Sequence, residues 1–291
     1  FVENVYSGDL SLEEWLSLNL SRAQWEDVQH TGDLDAGLQV GEHRFRLNIA
    51  LAQGKWNVVA RPLVSGRFTF EELGLPSVVA TLSTYRSGIV LVTGATGSGK
   101  STTLAAMVHD INQRYPYHIV TIEDPIEFLH SPIVSKVTQR EVGRDTKSFN
   151  EGLRRVVRQS PDVIMIGEMR DKESIEVALA AALTGHLVLA TLHTIDASQT
   201  LQRLMSYFPE HARSQVAMDL SLSLRGIVSQ RLLPKILGGR VLATEILINS
   251  PAVGQLLRER DYSGLEDLMR SSRTASLCTF NQSILSLVQL G

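Results

Sequence analysis

The chain has few of the features that mark secreted, disulfide-bonded or membrane-spanning proteins. Its single cysteine, Cys278, excludes an intrachain disulfide and a cysteine-rich zinc site. No apolar run approaches the roughly 18 residues that cross a bilayer, and the residues after Phe1 lack the basic and apolar segments of a signal peptide. Internal repeats and low-complexity tracts are also missing. We therefore expect a globular protein of the cytoplasm.

Neither sign of charge dominates the composition. The 28 Lys and Arg residues against 31 Asp and Glu residues give a formal net charge of -3. This balance gives no bulk electrostatic reason to expect nucleic acid or an anionic membrane as a constitutive partner, and a local basic groove is the alternative that stays open. The 291 residues are 43% hydrophobic, which is enough for one large core or two unequal ones.

The N-terminal part of the sequence predicts a small domain with helix and strand. Ser11 and Glu14 stand at capping-box spacing ahead of helix-spaced Leu and Trp residues, which predicts a short helix. From Leu38 to Leu51 apolar and polar residues alternate, as in a half-buried strand, and residues 55–63 are predicted to be its hairpin partner. This domain is expected to cover residues 1–65.

Chain breakers end that pattern and a different one follows. The breakers are Gly66, Gly74 and Pro76. We expect a linker over residues 66–78 and a second domain over 79–291. After Ser87, apolar strand-like segments alternate with helix-like segments, which is typical of an α/β fold with a buried, mostly parallel sheet. The region beyond Pro209 is largely helical apart from two predicted strands, and we interpret it as a lid or packing extension.

A glycine-rich loop separates the first of these strands from its helix. The stretch GATGSGKS has glycine at its first and sixth positions, followed by Lys100 and Ser101, which is the spacing of a phosphate loop. Glycines let backbone N–H groups surround a phosphate, the lysine reaches the β- and γ-phosphate oxygens, and the serine hydroxyl binds Mg²⁺. The predicted nucleotide-binding residues are Gly94, Ala95, Thr96, Gly97, Ser98, Gly99, Lys100, Ser101 and Thr102.

Acidic residues follow two other predicted strands. Glu168 ends the apolar run VIMIGE, and Glu127 lies in a cluster with Glu123 and Asp124. A carboxylate at either place can orient Mg²⁺ or polarise an attacking water, so Glu127 or Glu168 is expected to be the general base. Acidic residues at strand ends are often solvated turn residues, and the phosphate loop is what favours the catalytic interpretation.

Two histidines bracket a further apolar strand. His186 and His193 are seven residues apart, so their side chains are expected on opposite faces. His193 follows the strand end that lies near the nucleotide in such sheets, which predicts that it senses the γ-phosphate. His186 is predicted to be a hydrogen-bonded structural residue. Further ligands at zinc spacing are missing, and no metal cluster is expected.

Four segments together resemble a known protein family. GATGSGKSTT, IEDPIEF, RQSPDVIMIGEMRD and GHLVLATLHT resemble, in this order, the phosphate loop, Asp box, Walker B segment and His box of the type II/IV secretion ATPases. The resemblance spans roughly residues 38–250 and is strongest to the type IV pilus retraction ATPases of twitching motility. GDLDAGLQVGEHRFRLNI is similar to the PAS-like N-terminal domain of that branch.

The resemblance implies a RecA-like ATPase core with a smaller PAS-like α+β domain and a helical C-terminal extension. It also implies a Mg²⁺-dependent homohexamer that hydrolyses ATP at the cytoplasmic face of the inner membrane and acts on a pilus platform protein. In that family pattern Glu127 is the base, Glu168 acts on Mg²⁺ and His193 contacts the γ-phosphate. Arg46 and Arg61 match positions from which arginines reach the phosphates. Solvated residues on an open sheet face are the alternative for these two arginines.

Alternatives within the family stay open. Assembly and secretion ATPases of the family usually carry a four-cysteine zinc module, so the single cysteine favours retraction. The stretch LEDLMRSSRTASLCTFNQSILSLVQLG resembles an accessory retraction paralogue that works beside a main motor. An assembly or secretion motor and a weakly active ring subunit are therefore the other candidates. Nucleic-acid translocation is least favoured, because the charge balance is acidic.

Overall fold

The protein consists of two compact units that are not contiguous in sequence. A computed structural model describes residues 10–41, 43–63, 68–236 and 238–290. The first unit comprises Phe1–Gly66, Ile122–Leu129 and Gln139–Gly152, and the second comprises Arg67–Thr121, His130–Thr138 and Leu153–Gly291. The predicted domain limits at 1–65, 66–78 and 79–291 stay a prediction. Two segments from later in the chain, 122–129 and 139–152, group with the N-terminal residues.

The first unit contains two short helices and a three-stranded antiparallel sheet in the order β1-β2-β3. The elements are α1 (Leu12–Asn19), α2 (Arg22–Thr31), β1 (Asp33–Val40), β2 (His43–Ala52) and β3 (Lys55–Leu63). Capping boxes at Ser11 and Ser21 start the helices by bonding their first free N–H groups. Leu47 and Ile49 of β2 are buried in the small core with Leu16 of α1. The helix predicted at Ser11 is confirmed.

The strand predicted over residues 38–51 was wrong as a single element. Residues 33–40 and 43–52 form β1 and β2, which pair with one another, and Gly41 in the turn between them has a φ of +57°. The alternation continues on both sides of this short turn, so periodicity alone does not reveal the break. The predicted hairpin partner over 55–63 is confirmed as β3.

The second unit is built on an eight-stranded sheet in the order β11-β10-β9-β4-β8-β7-β5-β6. Its elements are α3 (Ser77–Leu82), β4 (Gly88–Thr93), α4 (Lys100–Arg114), β5 (His118–Glu123), β6 (Lys136–Glu141), α5 (Phe149–Val156), a 3-10 turn (Val157–Gln159), β7 (Val163–Ile166), α6 (Lys172–Leu183), β8 (Leu187–Leu192), α7 (Ala197–Ser206), α8 (Glu210–Ser223), β9 (Leu224–Pro234), β10 (Arg240–Ile248), α9 (Pro251–Glu259), α10 (Tyr262–Ser271), β11 (Leu277–Cys278) and α11 (Phe280–Leu290). The last residues of β5 and β6 belong to the first unit.

The centre of this sheet is parallel and fully buried. β4 pairs in parallel with β8 on one side and β9 on the other, and β8 pairs in parallel with β7. Every residue of β4 and of β8 is buried, as expected when helices cover both faces. Helix α4 contributes Leu104 and Met107 to the core. The predicted α/β fold with a parallel-rich sheet is confirmed.

The interpretation of the region beyond Pro209 as a lid or extension was wrong for residues 224–248. β9 lies beside β4 in the central sheet, and β10 pairs with β9 as an antiparallel strand. The two strands themselves were predicted, but their pairing with β4 joins segments more than a hundred residues apart, which local pattern does not encode. Residues 251–290 are largely helical, as predicted. Among the described residues no helix combines the length and the apolar character that a membrane span requires.

Candidate nucleotide-binding site

The glycine-rich loop joins the buried strand β4 to the first turn of α4. Gly94, Gly97 and Gly99 have φ values of +144°, +78° and +94°, which glycine adopts at no steric cost. Gly99 is the N-cap of α4 and no side chain caps this helix. The first-turn N–H groups are therefore not bonded by a capping side chain, which leaves the positive end of the helix dipole for an anion.

Lys100 is the first residue of α4, and its side chain folds back over the loop. Its Nζ donates hydrogen bonds to the carbonyl oxygens of Gly94 at 2.8 Å and Ala95 at 3.0 Å. Only 9% of the residue is exposed. Phosphate oxygens can replace these carbonyl oxygens as acceptors for the ammonium group. Ser98 Oγ in the same loop is buried without a hydrogen-bond partner among the described residues.

Glu168 and His193 meet Lys100 at one edge of the central sheet. Glu168 follows β7, His193 follows β8, and these strands run parallel to β4. His193 Nε2 lies 3.4 Å from Glu168 Oε1, and His193 Nδ1 lies 3.4 Å from Lys100 Nζ. The imidazole ring therefore contacts both the carboxylate and the ammonium group. Glu168 Oε2 also accepts a hydrogen bond from Arg170 Nε at 2.8 Å.

In the first unit, Glu127 lies beside Arg46. Arg46 Nη1 is 3.8 Å from Glu127 Oε1, and Arg46 Nη2 is 3.2 Å from Asp35 Oδ2. Arg46 and Arg61 are direct cross-strand partners in the β2–β3 pairing, and Arg61 is exposed. The structure thus brings together three of the predicted catalytic residues within this unit. The side chains of Arg46 and Glu127 are 36% and 31% exposed, so their contact is a weak, half-solvated ion pair.

The sequence matches the profile of the family described as Type II/IV secretion system protein over residues 66–239. The chain belongs to this family. The secretion ATPase assignment made from four motifs is confirmed, and the protein is an ATPase of that family.

Within this family, the chain is similar to the ATPases of type IV pili. The chain is 44% identical to the type IV pilus retraction ATPase PilT of Pseudomonas aeruginosa over 92% of this chain and 78% of that protein. It is also 44% identical to the type IV pilus ATPase PilU of the same organism, over 86% of this chain and 66% of that protein. A crystal structure of the pilus retraction motor PilT with bound ADP superposes with a TM-score of 0.88 at 46% identity, covering 94% of this chain and 79% of that one. The predicted resemblance to pilus retraction ATPases is therefore confirmed.

In this secretion ATPase, sequence reasoning missed the residue that fixes the Walker B segment. Thr191 of β8 donates its hydroxyl hydrogen bond to the Gly167 carbonyl oxygen, and its own carbonyl oxygen accepts a 3.1 Å hydrogen bond from the Met169 N–H. Both neighbours of Glu168 are thereby bonded to one residue. The sequence did indicate this role, because Thr191 is a polar residue inside the otherwise apolar strand LVLATL and a buried hydroxyl needs a hydrogen-bond partner.

Two buried polar pairs beneath the phosphate loop were also missed. Gln230 Nε2 of β9 donates a 2.7 Å hydrogen bond to Thr103 Oγ1 of α4, and Thr93 Oγ1 of β4 donates a 2.8 Å hydrogen bond to Ser229 Oγ. All four residues are at most 1% exposed. These bonds tie β4 and α4 to β9, and a Cβ at Gly94 would lie 2.5 Å from the Gln230 carbonyl oxygen. The phosphate loop is therefore supported by β9, the strand that the sequence pattern had assigned to an extension.

The side chain of His186 is held at the end of α6. His186 Nδ1 lies 3.0 Å from the Ala181 carbonyl oxygen and 3.3 Å from Thr184 Oγ1, so this side chain is hydrogen-bonded at the end of α6, as expected. Within the described ranges, no group of three or more His, Cys, Asp and Glu side chains is arranged to hold a metal ion. The Mg²⁺ site predicted at Ser101 and Glu168 needs only two protein oxygens, because Mg²⁺ keeps several waters and takes phosphate oxygens as ligands.

Proposed function

We propose that the chain is the ATP-hydrolysing subunit of a hexameric, Mg²⁺-dependent motor that retracts type IV pili. The motor would work at the cytoplasmic face of the inner membrane and act on the pilus platform protein. One observation carries the proposal: His193 contacts both Glu168 and Lys100 at the ends of neighbouring parallel strands. The names of the relatives, a pilus retraction ATPase and a pilus retraction motor with bound ADP, support the pilus as the object of the work.

The phosphate loop is proposed to hold the nucleotide. Residues 94–102 would surround the phosphates with backbone N–H groups, since α4 has no side-chain cap to compete with them. Lys100 would exchange its bonds to the Gly94 and Ala95 carbonyl oxygens for bonds to phosphate oxygens. The Ser101 hydroxyl and the Glu168 carboxylate, directly or through water, would hold Mg²⁺, which neutralises charge on the β- and γ-phosphates when bound.

His193 is proposed to report whether a γ-phosphate is present. Its two ring nitrogens each lie 3.4 Å from a charged group of the site, one on Glu168 and one on Lys100. When Lys100 turns to a phosphate, the ring loses one partner and can bond the phosphate instead. A change in the hydrogen bonding of one side chain is thereby linked to the nucleotide state.

Glu127 is proposed to be the general base, and Arg46 and Arg61 to stabilise charge on the γ-phosphoryl oxygens. A carboxylate polarises an attacking water, and guanidinium groups offset the negative charge that spreads over the phosphoryl group. The weak, half-solvated contact between Arg46 and Glu127 leaves each group able to turn to substrate at small cost. Arg61, opposite Arg46 in the sheet, would add a second guanidinium at the same place.

An accessory subunit of a retraction motor is the second candidate. It is favoured by one observation, the resemblance of the stretch LEDLMRSSRTASLCTFNQSILSLVQLG to an accessory retraction paralogue. The two candidates differ in whether the chain hydrolyses ATP and shortens pili without a paralogue. Turnover by the purified chain that rises only after a paralogous retraction ATPase is added would favour the accessory role.

The test is Lys100→Ala in cells whose only copy of the gene carries the change, with Lys235→Ala, an exposed lysine of the turn after β9, as the matched control. We expect Lys100→Ala to abolish ATP turnover and to leave cells with an excess of pili that do not shorten. Normal hydrolysis by a folded Lys100→Ala protein would refute the site. Cells without pili would refute retraction in favour of assembly.

A further inference from the structure

The first unit contains a buried ion pair that the proposed chemistry does not use. Arg44 Nη2 lies 2.7 Å from Glu141 Oε2, and the two side chains are only 8% and 1% exposed. The partners are 97 residues apart in sequence, on β2 and at the end of β6. Replacing a buried ion pair by apolar groups is often neutral or stabilising, so stability alone is a weak reason for two charges here.

Both members of this pair also bind the backbone of Ile126. Arg44 Nε donates a 2.7 Å hydrogen bond to the Ile126 carbonyl oxygen, and the Ile126 N–H donates a 3.1 Å hydrogen bond to Glu141 Oε2. The Gly37 N–H of β1 donates to Glu141 Oε1 at 3.3 Å. We call Arg44 and Glu141, with these bonds to Ile126, the Arg44–Glu141 clamp. It holds both polar backbone groups of the residue that precedes Glu127.

The clamp joins the two segments that carry Glu127 and Arg46. Arg44 and Arg46 are two residues apart on β2 and therefore lie on the same face of the strand. Ile126 is bonded directly to Glu127 in the chain. The contact between Arg46 and Glu127 is itself half-solvated and weak, so it does little to fix their separation of 3.8 Å. Arg44 lies two residues from Arg46 on β2, and Ile126 lies one residue before Glu127. The buried, charge-assisted hydrogen bonds of the clamp therefore constrain the separation of Arg46 and Glu127 more strongly than their own contact does.

We propose that Arg44 and Glu141 are positioning residues that set the place of Glu127 relative to Arg46. This inference rests on the proposed function, in which Glu127 is the general base. Gly37 completes the arrangement because it leaves room for the clamp: a Cβ at this position would lie 2.4 Å from Arg44 Nη2 and 2.7 Å from Glu141 Oε2. A side chain at Gly37 would therefore displace the clamp while leaving both of its charges in the protein.

The first experiment compares Glu141→Gln with Glu26→Gln, the same substitution in an exposed ion pair of the same unit. We expect Glu141→Gln to lower kcat on the order of tenfold to a hundredfold, the loss typical of a group misplaced by about an ångström. The affinity for fluorescent ADP should stay within about twofold of the wild-type value, because the phosphate loop belongs to the other unit. Glu26→Gln should change neither quantity. An unchanged kcat in a folded Glu141→Gln protein would overturn the proposal.

The second experiment asks whether the clamp acts through Glu127. In a Glu127→Gln background, Glu141→Gln should cause no further fall in kcat, whereas a general structural role would lower kcat again. Gly37→Ala serves as an independent variant if Glu141→Gln fails to fold in a melting experiment, and it should show the same pattern. If Glu141→Gln lowers kcat by the same factor in the Glu127→Gln background as in the wild type, the clamp does not act through Glu127 and the proposal is overturned. Normal turnover in Glu127→Gln alone would refute the base itself, and loss in Glu127→Gln with normal turnover in Glu141→Gln would refute only the clamp.

Discussion

The hydrogen bond between Thr103 and Gln230 allows a quantitative prediction. Thr103 Oγ1 accepts a 2.7 Å hydrogen bond from Gln230 Nε2, and the two residues are 1% and 0% exposed. Thr103→Val keeps the shape of the side chain but removes the acceptor, which leaves the buried Gln230 amide without a partner among the described residues. Gln230 Oε1 already has no hydrogen-bond partner there. Leaving one buried donor unsatisfied costs about 1–3 kcal/mol.

This cost should appear as a lower melting temperature of the second unit. For a unit of about 150–250 residues, 1 kcal/mol corresponds to about 2–4 °C, so a loss of about 2 kcal/mol lowers the melting temperature by about 4–8 °C. Calorimetry or circular dichroism measures the shift directly.

Gln230→Met provides the matched control for this effect. Methionine removes both the donor and the unsatisfied oxygen, and the Thr103 hydroxyl can then donate to the Gly99 carbonyl oxygen one helical turn back. Gln230→Met should therefore cost less than Thr103→Val, and the double variant should recover most of the loss. A Thr103→Val protein as stable as the wild type, or a double variant with the summed loss, would refute this reasoning.

Further predictions concern the phosphate loop and the pH dependence of stability. Gly94→Ala should abolish binding of fluorescent ADP, because φ is +144° and the new Cβ would lie 2.5 Å from the Gln230 carbonyl oxygen. Gly97→Ala should weaken binding less, because its φ of +78° also strains an alanine but no atom of the described residues lies within 4 Å of the new Cβ. Equal losses in a titration would contradict this. Burial raises the pKa of the Glu245 carboxyl above its ordinary 4.5, although the carboxyl accepts a hydrogen bond from the Ala197 N–H. Between pH 4.5 and the raised pKa, the folded protein therefore keeps a proton on Glu245 that the unfolded chain has released. Wild-type stability relative to Glu245→Gln should be greatest below pH 4.5 and fall as pH rises through the raised pKa. If the melting temperature of the wild type minus that of Glu245→Gln stays constant or increases as pH rises, the prediction of a raised Glu245 pKa is refuted.

The parts of the site that are local in sequence could be predicted from it. A buried parallel strand is a continuous apolar run, so β4, β7 and β8 are visible as such, and the residues that follow each run meet at one sheet edge. Glu168 and His193 were found in this way, whereas Lys100 was found from the spacing of the phosphate loop. Their contacts at 3.4 Å follow from strand order, which the sequence pattern alone does not give.

The parts that depend on distant partners could not be predicted. The alternation in β2 places Arg44 with Arg46 on a polar face, yet only 7% of Arg44 is exposed, because its partner Glu141 arrives from 97 residues away. β6 escaped prediction for a related reason. It lies at the edge of the sheet and is mostly half-buried, so it carries no apolar run. α2 was a different case, since its capping box at Ser21 and Gln24 was present in the sequence.

The grouping of residues 122–129 and 139–152 with the N-terminal residues limits how this protein can be divided and recombined. A truncated chain that began at residue 79 would keep the phosphate loop but lose Arg44, so Glu141 would lose its guanidinium partner. Exchange of N-terminal domains between related motors therefore has to carry the two later segments along with residues 1–66. The first unit is discontinuous in the sequence, and a chimaera joined within residues 66–78 would combine Glu127 with β2 and β3 arginines of another protein.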